Sequence, residues 1–291
     1  MTASMVETIF SGPLGKRLAA PPAIEMRLYW LGQAGFVLDT DGWRIVIDPY
    51  LSDTLEAKYA RTSYPHPRMA PAPAAPDELG SVDLVLCTHH HTDHMDPGTL
   101  APLARRLPGL RFVVPAASRA LARDRTGVSD ERLILLDDGD AVSPLPGVEV
   151  RALRAAHERI ERDEAGHCRF LGYTVASRGG SIFHSGDCVP YEGQDEEVVR
   201  AAPDVALLPV NGRSVALRQA GFAGNFSVDD AVALCVRAGV PAMIAHHYGT
   251  FAFNTVEPAA IDAALASAPV RALRARTNVV WTLQSDWARR P

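Results

Sequence analysis

Apolar and polar positions along this chain change rhythm repeatedly, from short β-prone runs to longer helical stretches. Met26 to Leu31, Gly35 to Leu38 and Arg44 to Ile47 are short runs of strand-forming residues, and Asp41-Gly42 between the latter two marks a hairpin turn. Farther on, Val82 to Cys87, Arg111 to Val114 and Leu133 to Leu136 read as buried strands, with helices near Gly98–Leu107 and Ala116–Arg125 between them. A second set of strands is expected at Val148–Leu153, Leu171–Ala176, Ser181–His184, Val205–Val210, Ala242–Ala245 and Val279–Thr282. Helices in this half include Ala259–Ala266 and Ser227–Arg237, where Ser227 and Asp230 form a capping box and Gly239 lies past the end. Two strand-rich halves with interspersed helices predict an α/β fold in which two sheets pack together under flanking helices.

Two segments fall outside this rhythm. Residues 1–25, ending in Ala19-Ala20-Pro21-Pro22, read as an N-terminal arm outside a main domain spanning 26–291. Between Ser52 and Gly80, prolines at 65, 67, 71, 73 and 76 exclude a continuous helix or central strand, so a long surface loop is expected there. Such loops often carry function, and a lid is one reading of this one.

Composition changes the picture only by exclusion. At 291 residues, 47% hydrophobic and 22% charged, the chain is neither disordered nor fibrous and has ample material for a core. With 29 basic and 34 acidic residues the net charge is -5, which removes the usual electrostatic reason to expect a nucleic-acid partner. Cys87, Cys168, Cys188 and Cys235 lie far apart with no C-x-x-C pair, which argues against a disulfide framework and for a reducing compartment. No apolar run approaches the ~20 residues of a membrane span, and the first 22 residues lack a signal-peptide pattern. A cytoplasmic protein without stable membrane association is expected; self-association stays open.

Chemistry concentrates in the histidines. Four of the ten fall within His89-His90-His91-Thr92-Asp93-His94, an H-x-H-x-D-H pattern just beyond the apolar run Val82–Cys87. A turn at the mouth of a buried strand can aim His89 and His91 at one metal ion, and Asp93 with His94 at a second. Imidazole with carboxylate suits zinc, manganese or iron, and one or two divalent ions per chain are expected, zinc and manganese being the first candidates. Three further segments place His or Asp just past a strand: His157, then His184-Ser185-Gly186-Asp187, then His246-His247. Any one is weak evidence, but convergence of four such segments on one centre is not.

With these motifs the chain resembles the metallo-β-lactamase-fold hydrolases. Four local stretches are similar to their ascorbate-6-phosphate lactonase-like branch: Trp30-Leu31-Gly32-Gln33-Ala34-Gly35-Phe36, Ile47-Asp48-Pro49-Tyr50-Leu51-Ser52-Asp53, Pro209-Val210-Asn211-Gly212-Arg213 and His247-Tyr248-Gly249-Thr250-Phe251. The resemblance runs from about Met26 to Leu283 and implies an αββα sandwich of two mixed sheets, with the metals at one edge. It implies that His89, His91 and His157 hold one divalent ion, that Asp93, His94 and His247 hold a second, and that Asp187 bridges them. It prefers His247 to His246 because the family ligand directly precedes the Tyr-Gly-Thr-Phe stretch. Asp48 is expected to orient a ligand histidine or the motif loop, since a ligand imidazole needs an acceptor for its other N–H. His90 and His184 are expected to be structural. Cys188, where the family commonly has Thr, is expected to pack inertly, with a soft-ligand role as the other reading.

Two divalent cations, two carboxylates and a hydroxide leave about +1 at such a centre, which lowers the pKa of a bound water toward ~7. Asp93 and Asp187 are then the candidate catalytic carboxylates for proton transfer. The expected function is metal-dependent hydrolysis of a small ester or lactone, a phosphorylated sugar lactone included. The alternative is a phosphodiesterase or a hydrolase similar to the N-acyl-phosphatidylethanolamine phospholipases. A nuclease is disfavoured by charge and by the short stretch between Asp187 and His247, and an oxygen-binding di-iron module by retention of His91. Asn211, Arg213 and Tyr248 are the candidate substrate contacts, with the Arg213 guanidinium suited to an anionic group and a structural ion pair as its other reading.

Overall fold

Successive residues of a strand face opposite sides of its sheet, and in the strands between residues 27 and 115 both sides are largely buried. The computed structural model describes residues 4–284. The chain begins with β1 (Ser4–Ile9), α1 (Leu14–Leu18), β2 (Arg27–Gly32), β3 (Gly35–Thr40), β4 (Trp43–Ile47) and α2 (Thr54–Tyr59). Next come β5 (Leu84–Leu86), α3 (Pro97–Arg106), β6 (Arg111–Pro115), α4 (Arg119–Thr126) and β7 (Leu133–Leu136). The second half contains β8 (Ala141–Leu145), β9 (Val148–Arg154), β10 (Leu171–Ser177), β11 (Gly180–His184), α5 (Gln194–Ala201) and β12 (Val205–Pro209). It closes with α6 (Val215–Gln219), α7 (Val228–Ala238), β13 (Ala242–His246), α8 (Pro258–Leu265), β14 (Arg271–Arg274) and β15 (Val279–Gln284).

The strands form two mixed sheets. One has the order β1-β15-β2-β3-β4-β5-β6-β7, antiparallel as far as β4 and parallel from β4 to β7. The other runs β14-β13-β12-β11-β10-β9-β8, parallel from β14 to β11 and antiparallel beyond. Leu28, Trp30, Phe36, Leu38, Ile45 and Ile47 meet Val150, Tyr173, Ile182, Leu207 and Ile244 in the core between the sheets. Their alternates Tyr29, Leu31, Val37 and Val46 instead pack with Leu14, Leu18, Leu100 and Leu103 of α1 and α3. On the far side, α7 buries Ala231, Leu234 and Cys235 against the second sheet. The result is the expected αββα sandwich, and the parallel strands β5, β11 and β13 run into the loops that carry the candidate ligands.

The N-terminal arm reading requires correction. β1 pairs with β15 along its length, Met5 against Leu283 and Glu7 against Trp281, so residues from Ser4 onward extend the first sheet. The signal was weak because β1 is an edge strand: Met5 is buried while Val6 and Ile9 are exposed. Residues 1–3 of the expected arm and 285–291 of the expected domain lie outside the described residues. The buried Arg44 anchors the N-terminal segment. Its guanidinium forks onto Asp39 (2.7 and 3.0 Å) and donates to the carbonyls of Leu18 (2.5 Å) and Ala20 (3.3 Å).

The Pro-rich segment is more ordered than a meandering loop. It opens with α2 and ends in a single 3₁₀ turn at Pro76–Leu79. Asp96 ties its start to the histidine motif by accepting from Ser52 Oγ (2.9 Å) and Thr54 Oγ1 (2.7 Å) while capping α3 through Gly98 N–H (3.0 Å). Among the described residues no helix is long and apolar enough to cross a membrane.

Candidate metal centre

The H-x-H-x-D-H turn leaves the end of β5 and is pinned from three sides. Asp48 accepts from the Thr88 backbone N–H (2.7 Å) and Thr88 Oγ1 (2.6 Å), and its Oδ2 lies 2.7 Å from His94 Nδ1. That contact fixes which His94 nitrogen faces inward, Nε2, as a ligand imidazole requires. The turn closes on itself through Met95 N–H to the His91 carbonyl (2.8 Å). Arg125 of α4 then clamps it from outside, one guanidinium nitrogen donating to the carbonyls of His90 (2.5 Å) and Met95 (3.0 Å). Sequence reading missed Arg125 because it belongs to a helix far along the chain with no motif of its own.

The other ligand candidates arrive from the second sheet. His157 follows β9, and its Nδ1–H donates to the Gly224 carbonyl (3.2 Å), leaving Nε2 free to face the centre. Asp187 follows β11 through a turn that only glycine permits: Gly186 has φ +62, and a Cβ there would lie 2.6 Å from the Leu171 carbonyl oxygen. His247 leaves the end of β13 with φ +64, and Asp48 and Gln33 also hold left-handed backbones (φ 44 and 49). Non-glycine residues rarely adopt that conformation, and such strain collects at functional sites. The Gln33 carbonyl holds His247 N–H (2.9 Å) and Trp30 Nε1–H (3.0 Å).

These side chains crowd on common points. Asp187 Oδ1 is 3.1 Å from His247 Nε2 and 3.3 Å from His94 Nε2, while its Oδ2 is 3.8 Å from His157 Nε2. Asp93 Oδ2 is 3.7 Å from both His94 Nε2 and His247 Nε2. The ligand atoms fall into two groups, His89 with His91, His157 and Asp187, and Asp93 with His94 and His247, all within 4.8 Å of one another in each group. His89 Nε2, His94 Nε2 and Asp187 Oδ1 are buried with no hydrogen-bond partner. Buried polar atoms left without partners are costly, so their convergence on common points marks them as candidate ligand atoms, and the nitrogen and oxygen set fits divalent ions.

Protonation follows the same geometry. Burial pushes His89 well below the usual imidazole value, lowers His91, and takes His157 down to about 4, so each presents a neutral lone pair at pH 7. Burial also opposes a charge on His94, yet Asp187, Asp93 and Asp48 hold it well above that value. Burial disfavours the Asp187 carboxylate too, but His247 and His94 keep it well below the ordinary carboxylate range.

Other expected residues lie elsewhere. Arg213 does not face the centre: its Nη2 pairs with Asp230 Oδ2 at 2.9 Å, its structural reading, in a neighbouring groove. Asn211 lines that same groove and exchanges hydrogen bonds with Asn254 and Asn225, 2.9 Å each. Tyr248 is buried, stacked on Trp30 at 5.1 Å, and its hydroxyl donates to the Ala275 carbonyl, so it is a packing residue and not a substrate contact. Extended backbone after a strand made these positions look accessible; the turns that redirect them were not visible locally. Cys188 packs inward, where its sulfur accepts from Ala156 N–H (3.4 Å) and Gln194 Nε2 (3.3 Å), and burial pushes its pKa up to about 12. His184 donates from Nε2 to the Ala34 carbonyl (2.9 Å) and accepts at Nδ1 from Gly186 N–H (3.0 Å) within the core, and His246 packs edge-on to Phe36 at 5.3 Å. His90 lies on the cavity wall.

The centre forms the floor of a cavity of about 320 Å³, within the usual range of small-molecule sites. Gln33, which lies in a family-like stretch but was assigned no role from the sequence, reaches into it and donates from Nε2 to Asp93 Oδ2 (2.8 Å). Because Arg125 holds the motif turn, Arg125→Met should leave the protein folded but weaken metal affinity by about 10- to 100-fold. Chelator competition against wild type measures this, and equal affinities would show that the turn keeps its shape without the clamp.

Comparison with known proteins gives matches over most of the chain. The model of the beta-lactamase superfamily domain matches residues 43–248. A UPF0173 metal-dependent hydrolase of Methanopyrus kandleri is 31% identical over 194 residues, covering 65% of this chain and 73% of the relative. One from Caldivirga maquilingensis is 28% identical over 225 residues, covering 77% and 82%. A solved metallo hydrolase of Ignicoccus hospitalis superposes with a TM-score of 0.62 at 21% identity, covering 87% of this chain and 95% of that one.

Proposed function

We infer, since the chain belongs to the beta-lactamase superfamily and within it to the UPF0173 metal-dependent hydrolases, that this metal-dependent hydrolase opens a small ester or lactone. The observation that carries the reading is the pair of His/Asp groups at the floor of one cavity. Divalent ions held there would supply Lewis acidity and would bring the pKa of a bound water toward ~7. In this reading His89, His91, His157 and Asp187 would hold one zinc or manganese ion, and Asp93, His94 and His247 would hold the other. Iron suits the same donors.

The chain's own groups divide the remaining work. Asp187 reaches both ligand groups and fixes their separation. Asp48 keeps His94 Nε2 facing inward. Asp93 has the more exposed carboxylate, 17% against 5% for Asp187, so it is the one that would accept a proton in the cavity and pass it to solvent or the leaving oxygen. The amide of Gln33 holds that carboxylate in place.

A carbonyl substrate is favoured over a phosphodiester because the guanidinium nominated for an anionic group, that of Arg213, lies outside the cavity. Arg125 is engaged by two carbonyls, and Arg213 is paired with Asp230 outside the cavity. The same placement removes the main support for a phosphorylated substrate. Metal-loaded protein should hydrolyse a γ-lactone or small aryl ester with kcat/KM about 100-fold or more above that for bis(p-nitrophenyl) phosphate. A preference for the phosphodiester would overturn the reading in favour of the phosphodiesterase alternative.

A further inference from the structure

Facing the ligand residues across the cavity is a wall of rings contributed by three distant segments. Tyr59 and His66 come from the Pro-rich segment, Phe222 follows α6, and Phe251 and Phe253 follow β13. His66 stands at the centre: it stacks on Tyr59 (centroids 4.3 Å apart, 24° between planes) and meets Phe253 at 4.7 Å and Phe251 at 5.0 Å, both edge-on. Phe222 closes the wall at 5.0 Å from Phe253. Edge-to-face and offset packing of this kind holds rings in fixed positions. His91, Asp93, Asp187 and His247 line the same cavity.

We propose that this wall is a subsite for a flat apolar group, an aryl ring carried by the substrate beside the bond that is cleaved. The proposal rests on the hydrolase reading above and adds the substrate class. Phe222 and Phe253 are only half-buried and Tyr59 likewise, so apolar ring surface stays open to the cavity beside the reacting centre. His66 contributes as an uncharged ring: its Nδ1–H donates to the Tyr64 carbonyl (2.7 Å), and burial lowers its pKa. Aromatic walls also attract organic cations, but two cations already line this cavity. Arg125 is one, and Lys58, whose Nζ lies 4.9 Å from the Tyr59 ring centroid, is the other. Their repulsion disfavours a cationic occupant, while a carboxylate released at the metal centre is compatible with both.

Two matched pairs of probes test this on the metal-loaded, full-length protein. Calorimetric titration compares phenylacetate with acetate, and kinetics compare p-nitrophenyl phenylacetate with p-nitrophenyl acetate. Phenylacetate should bind about tenfold or more tightly than acetate, and kcat/KM should favour the phenyl ester by a similar factor. Phe222→Ala and Phe253→Ala, each checked for a native circular dichroism spectrum, should each reduce the binding preference to about threefold or less. Equal affinities for the two carboxylates in wild type, no measurable phenylacetate binding, or a preference untouched by both substitutions would each overturn the subsite. Ring preference in binding without ester hydrolysis would uphold the subsite and count against the ester-hydrolase reading. Hydrolysis without ring preference would do the reverse.

Discussion

Asp187→Ala is expected to abolish turnover, with a loss in kcat/KM of at least about 10³-fold, and to deplete both ion positions together. Among the described residues it is the one carboxylate within 4 Å of His94, His157 and His247 at once. Removing any single histidine takes one donor from one ion, whereas removing this side chain takes a donor from each. The fold should survive, because Asp187 sits on a turn beyond β11 whose backbone path is set by Gly186, and alanine accepts that path. Loss of the buried carboxylate also leaves the surrounding imidazoles without their counter-charge, which weakens any metal that remains. Elemental analysis after gel filtration, beside a thermal unfolding curve, measures the effect. A folded variant that keeps both ions would remove Asp187 from the bridging position.

Adjacent His246 and His247 should behave differently. His246 ends β13, fully buried between Phe36 and His184, and pairs in register with Pro209. His247 leaves the strand through a left-handed backbone that turns its ring into the centre, 5.7 Å from that of His94. His247→Ala should therefore cost about 10²- to 10³-fold or more in kcat/KM and leave the left-handed backbone strain in place, since alanine keeps the Cβ. His246→Ala should instead leave a core cavity and cost roughly 2–4 kcal/mol of stability, with metal content retained. Denaturant titration and metal analysis on both variants separate the two roles. Equal metal loss in both would mean that the strand register around His246 is wrong.

What the sequence made legible follows from where the information is local. The strands from β2 to β6 have both faces largely buried, so their continuous apolar runs stood out, as did the Ser227 cap and Gly239 stop of α7. The H-x-H-x-D-H pattern was legible because its donors share a single turn. Asp48 was legible because it lies in a stretch that resembles the family's, and the need of a ligand imidazole for an acceptor at its outer nitrogen gave its role. Arg125 and most of the ring wall were not legible, since each acts through an encounter between distant segments, and Gln33, though inside a family-like stretch, acquires its role only by meeting Asp93. Arg213 and Tyr248 show the converse. Motif proximity nominated both, but Asp230 and Trp30 are three-dimensional neighbours that the local sequence could not identify. Edge strands such as β1 and β14 bury too few side chains to show a period.

The two-ion centre is the central claim, and metal stoichiometry tests it most directly. Protein stripped with chelator, dialysed against zinc or manganese and freed of excess should retain two ions per chain, and hydrolysis should vanish on stripping and return on loading. Anomalous scattering from crystals of the loaded protein should place one ion among His89, His91, His157 and Asp187 and the other among Asp93, His94, His247 and Asp187. Protein that retains no metal after loading, or that hydrolyses its substrates fully after complete stripping, contradicts the assignment.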